Sequence, residues 1–216
     1  LLAGSNAARS DDTHSIKVAV IIWLAEDLRE AGVSLLPNIK SSRGFNNPVT
    51  GRLLCPAVLD YDDDETRKSL ENHEATLDGE PVNGGDWPMF VYDQNTYNPA
   101  LPWESFLRGR LIIQAFRHIF QSPSSALRDT TTSSMPVEAT RGTRTGVADL
   151  HGMTKVTAGS LIYAATPVHF ALSSVSTFKK TDTTSDTHVF QASLVNFFDD
   201  PFFAAVHADL FAWWNR

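Results

Sequence analysis

The sequence predicts an all-α protein: a single, mostly helical domain with long irregular connections. Three observations carry this expectation. Apolar residues recur at helical spacing near 16–31, 103–121, 157–173, 187–198 and 201–215. Cap and first-turn signals stand at several of those starts. The chain has 216 residues, 42% of them hydrophobic, which is enough for one substantial core. With 13 Phe and 5 Trp the core should be aromatic, and Phe116, Phe120, Phe170, Phe190 and Trp213 are expected in one cluster.

Residues 1–13 are small and polar without periodicity and read as a tail or linker, leaving 14–216 as the domain. A helical pattern still runs at Trp213-Trp214-Asn215-Arg216, so the domain reads as truncated at its C-terminus. From Ser15 onward, Ile21, Leu24, Leu28 and Ala31 share a helical face, and Gly32 stands where a helix C-cap glycine belongs. Residues 33–59 are rich in Gly, Pro and Asn and predict an irregular connection. The run Asp60–Glu65 places carboxylates at EF-hand positions, but Glu65 occupies the place that needs glycine. It reads instead as the acidic start of a short helix, 65–73.

Residues 78–102 combine Gly and Pro with Trp87, Phe90, Tyr92 and Tyr97, a segment to be ordered by ring packing. Pro102 then opens a predicted helix to about Gln121, its apolar stripe Phe106, Ile113, Phe116 and Phe120, its other face Arg108, Arg110 and Arg117. Ser122–Gly146 is Ser/Thr-rich and predicts a loop. Thr157 is a candidate N-cap for an apolar helix covered on nearly all sides, with Pro167 inside it and a kink expected near Tyr163. The capping cluster Thr181–Asp186 and Asp200-Pro201 start two further helices, expected as a hairpin.

Charge excludes more than it assigns. The total is −7, yet residues 1–103 hold 16 acidic and 8 basic residues, 104–155 hold 4 and 7, and 156–216 hold 5 and 3. Any nucleic-acid contact is therefore confined to the basic middle third, through Arg108, Arg110, Arg117, Arg141, Arg144 and Lys155. Thr140–Gly146 adds flexible glycines and two guanidinium groups that suit phosphate, without a Walker pattern. The longest apolar run, Val18–Ala25, is far short of the roughly 20 residues a bilayer requires, so no membrane partner is expected. One cysteine and no Asn-x-Ser/Thr acceptor point to an intracellular setting, nuclear or cytoplasmic.

Catalytic signals are thin. The seven histidines include no pair at i,i+4, and no Cys-x-x-Cys exists, so neither a metal nor a cofactor is expected. Ser176–Lys179 fits S-x-x-K without its companion motifs. His151, flanked by Gly152 and with Asp149 nearby to orient it, is the best single candidate for acid–base chemistry on a phosphoester. His169 reads as a core histidine bonded to a backbone group. Two function classes follow: a binding module for nucleic acid or a partner protein, and a phosphoester-processing enzyme centred on His151.

The elements GRLLCPA, WPMF, NPALPW, RLIIQAFRHIFQSPSSA, ATRGTRTGVADLHGMTKVT, IYAATPVHFALSS, FKKTDTTSD and WWNR together resemble an uncharacterised domain family expanded in mushroom-forming fungi. Its members are similar to mobile-element-associated proteins more than to metabolic enzymes. The resemblance covers about 51–216 and implies no catalytic residue. Arg141, Gly142, His151, Gly152 and Met153 match its core motif, whereas Pro167 and His169 stand where Gln and Arg are expected.

Overall fold

A computed structural model describes residues 2–127, 153–175 and 186–216, with side chains from Ser10 onward. Among these residues stand eight α-helices: α1 (Leu2–Trp23), α2 (Ala25–Glu30), α3 (Pro48–Leu54), α4 (Asp64–Glu71), α5 (Arg110–Phe120), α6 (Ala158–Leu172), α7 (Thr187–Asp199) and α8 (Ala204–Trp214). A small antiparallel hairpin, β1 (Thr76–Leu77) and β2 (Glu80–Pro81), pairs Thr76 with Pro81 and Leu77 with Glu80. The architecture is mostly helical, as the apolar spacing predicts.

Helix α6 is the centre. Thr157 begins it with a reciprocal cap: its hydroxyl accepts from Ser160 N–H at 3.2 Å, and Ser160 Oγ accepts from Thr157 N–H at 2.9 Å. Leu161, Ala164, Ala165, Val168, Ala171 and Leu172 are fully buried, and the helix packs against α1, α3, α5 and α7. Each buried Leu or Val of this kind contributes about 1.5–3 kcal/mol through removal of apolar surface from water. The helix continues as one element through Pro167, and Thr166 Oγ1 donates to the Ile162 carbonyl at 2.7 Å.

Around it, α1 presents Ile16 and Val20 inward, four residues apart, and Leu24, between α1 and α2, continues the buried row. Helix α7 is capped by Asp186, whose carboxylate accepts from His188 and Val189 N–H, and contributes Phe190, Leu194 and Phe197. Helices α7 and α8 meet as the expected hairpin through Phe198 on Phe211 and Phe197 on His207. Asp63 caps α4, so the acidic run is a helix start.

Several elements differ from expectation for identifiable reasons. Residues 2–13, read as a tail, are the first turns of α1. The connection 33–59 contains α3, started by Asn47, whose side chain accepts from Val49 and Thr50 N–H, with Pro48 at the first position. The helix expected from Trp103 begins at Arg110. Ahead of it, Phe106 bridges to Tyr92 and Leu107 is left-handed at φ 56°, while Gly109 lies so near the Phe90 carbonyl that a Cβ would come within 2.0 Å. The expected single aromatic cluster divides. Phe116 meets both Phe120 and Trp214, Phe190 stacks on His169, and the densest group is Trp87, Trp103, Phe106, Phe197 and Phe203.

Candidate functional site

Of the residues marked for anion binding, Arg141 and Arg144 lie outside the described residues, as do His151 and Asp149. The other four are seen. Arg108 pairs with Asp209 of α8 at 2.5 Å and lies 5.3 Å from the centroid of Trp213. Arg110 pairs with Asp27 of α2 at 2.7 Å. Arg117 is half-buried on α5. Lys155 is exposed, next to Val156, whose N–H donates to Asn215 Oδ1 at 2.8 Å. Arg108 and Arg110 thus already face carboxylates of this chain.

A second set of cations was not singled out by sequence. Arg43 is completely buried and donates to four carbonyls: Lys17 at 3.1 Å, Ala171 and Pro37 at 2.7 Å each, and Ile39 at 3.3 Å. Lys40 is buried too; its Nζ donates to Phe170 O at 2.5 Å, to Ser173 Oγ at 3.3 Å and to Val175 O, and lies 3.3 Å from the Phe170 ring centroid. The last carbonyls of a helix lack intrahelical donors and carry the negative end of its dipole, so two cations here close the end of α6. Burial, then the charges of Arg43 and Lys17, pull the Lys40 ammonium down to about 7. Among the described residues no carboxylate forms an ion pair with Lys17, Lys40 or Arg43.

This cation group borders a groove of about 760 Å³, within the range of ligand sites. Helix α6 forms its floor with Gly159, Ile162, Thr166, Pro167 and Phe170; α1 forms one wall with Ser10, Thr13, His14 and Lys17; α7 supplies Gln191 and Val195. Tyr163, also on the floor, donates its hydroxyl to Asp12 Oδ2 at 2.7 Å. Tyr163 thus meets Asp12 while Arg43 joins Lys17 to Ala171, so α1 and α6 run side by side in the same direction. The positive group therefore lies at the Phe170 end. From Gly159 to Phe170 the floor is about 16 Å long, three turns of helix.

His169 is a core residue as expected, but its partner is a side chain: Nδ1 lies 2.9 Å from Thr187 Oγ1, and the ring stacks on Phe190 at 4.5 Å. Burial, reinforced by Lys40, lowers its pKa to about 3, which keeps the ring neutral. Cys55 is buried, which pushes its thiol up to about 12 and leaves it unreactive. Among the described residues no cluster of three or more His, Cys, Asp or Glu could hold a metal ion, and no helix is long and apolar enough to cross a membrane.

Neither the curated proteins nor the solved structures include a match to this chain. A family model does match, and it covers residues 3–216, taking in α1 with the groove wall as well as the elements from α3 to α8. The chain belongs to a family of unknown function, DUF6698.

Proposed function

We propose that the chain is an intracellular, nuclear or cytoplasmic, binding module whose groove over α6 receives an amphipathic helix of a partner protein, with an acidic group of that helix meeting Lys17. The observation that carries this reading is the groove itself: a three-turn apolar floor between two helical walls, positive at one end. An amphipathic helix laid in a groove uses apolar anchors at i, i+3, i+4 and i+7. The lining residues of α1 follow the same spacing, at 10, 13, 14 and 17. The ion pairs of Arg108 and Arg110 favour a protein partner over a nucleic acid, since both charges are already matched.

The test is selection of peptides from a random library on the whole chain, followed by affinity measurement on Val195→Glu and Lys17→Glu variants. Selected peptides should carry an apolar stripe with Asp or Glu at one end and lose about tenfold or more in affinity on either variant. Peptides that bind both variants as well as the parent chain would overturn the reading. A salt titration with duplex and single-stranded nucleic acid tests the competing reading through Arg141, Arg144 and Lys155. Each neutralised duplex phosphate would contribute a slope of about −0.9 in log K against log salt.

A further inference from the structure

We propose that a second, separate pocket, walled by Trp87, Tyr92, Tyr97 and Trp103, binds a quaternary ammonium group with Asp86 as its counter-ion. The pocket encloses about 300 Å³ and lies away from the groove over α6. Its rings come from a segment with almost no regular structure, so each is held by specific contacts. Trp87 is pinned to the end of α3: its carbonyl accepts from Ala57 N–H at 3.0 Å, and Met89 N–H donates to Cys55 O at 2.9 Å. Tyr92 is fixed by its bridge to Phe106. Gln94 and Asn95 are both left-handed, at φ 52° and 51°, and this tight reversal returns Tyr97 against Tyr92. Two non-glycine residues in that conformation are held only where the surroundings over-determine them.

The walls consist of ring pairs set nearly at right angles. Trp87 and Trp103 meet at 5.2 Å and 70°, and Tyr92 and Tyr97 at 5.1 Å and 67°. The indole N–H of Trp87 is already used, donating to Ser193 Oγ of α7 at 3.1 Å. That wall therefore offers a π surface in place of a donor. Asp86 is steadied by Asn83 N–H at 2.8 Å, and among the described residues no Lys or Arg pairs with it.

Such a site suits one kind of ligand. A cation over aromatic faces gains about 2 kcal/mol or more when desolvated. A primary ammonium must first give up strong hydrogen bonds to water, and these ring faces do not replace them. A quaternary ammonium has no N–H to lose and keeps its charge, so methylation should strengthen binding. The shared chemistry is a trimethylated nitrogen, carried either by a small molecule or by a trimethyl-lysine on a protein.

The experiment is calorimetric or NMR titration of the whole chain with tetramethylammonium, choline, a trimethyl-lysine peptide and the same peptide unmethylated, all at fixed ionic strength. Saturable binding of the methylated probes is expected, about tenfold or more tighter than the unmethylated peptide. Choline bound as well as the peptide points to a small molecule, and a peptide advantage to a protein; either supports the site. Asp86→Asn keeps an oxygen for Asn83 N–H, Tyr97→Leu keeps apolar bulk, and each should cut affinity about tenfold at unchanged Tm. The proposal fails if methylated and unmethylated peptides bind alike, if both variants bind like the parent, or if no methylated probe binds at millimolar concentration. A proline-rich peptide taken up without any response to ammonium probes would overturn it as well.

Discussion

Two sets of cations in this molecule have opposite surroundings. Arg108 and Arg110, before and at the start of α5, pair with Asp209 and Asp27; Arg110 is half in water, whereas Arg108 is largely covered and only its partner Asp209 is exposed. Lys40 and Arg43, in the connection before α3, are buried and bonded to backbone carbonyls at the end of α6. An exposed pair such as Arg110–Asp27 contributes about 0–1 kcal/mol, because water already solvates both charges. Buried cations of the second kind leave several carbonyls unpaired if removed, and each such group costs about 1–3 kcal/mol. The exposed Arg110 pair is thus energetically minor, while two unremarkable residues in a loop hold the central helix to its neighbours.

The largest effect expected from this contrast is at Arg43. Arg43→Ala should lower stability by about 3 kcal/mol or more in urea unfolding, since Ala171, Pro37 and Lys17 carbonyls lose their donor together. A loss below about 1 kcal/mol would place Arg43 with the surface pairs.

Acid dependence comes next. His169 is held at about 3 in the fold against 6.5 when unfolded, so between these values the unfolded chain binds the extra proton. Stability should therefore fall as pH drops from about 6.5 towards 3, and the slope over that window should be shallower in His169→Gln. An unchanged slope would mean that the ring takes up a proton in the folded state.

Lys40 gives the corresponding test on the alkaline side. Its folded value of about 7 lies below the unfolded 10.5, so the unfolded chain again binds the extra proton. Its contribution should make stability rise with pH across that window, and Lys40→Met should flatten the rise. The smallest effect belongs to Arg110→Ala, expected to cost under about 1 kcal/mol and to shrink further at high salt.

The fold was legible where local chemistry and periodicity agreed. Thr157 and the all-round apolar pattern after it located α6, the capping cluster ending at Asp186 located α7, and Asp200-Pro201 located the turn into α8. Helix α3 was equally written, in Asn47-Pro48, but a Gly/Pro/Asn-rich neighbourhood hid it. The start of α5 was set by a tertiary contact, Gly109 against the Phe90 carbonyl, which has no local signature. Of the candidate site, α1 carried a legible helix but not its groove wall, because Ser10, Thr13, His14 and Lys17 are polar and face outward until α6 and α7 are placed beside them. Lys40 and Arg43 could not be read as buried, since lone cations are ordinarily at the surface.

The central claim is that association takes place over α6 and not along the arginines around α5. Hydrogen–deuterium exchange on the whole chain, with and without a library-selected peptide, tests this directly. The account predicts added protection in residues 10–17, 159–170 and 191–195, with 108–117 unchanged. Protection concentrated at 108–117, with the groove residues exchanging as before, would contradict it.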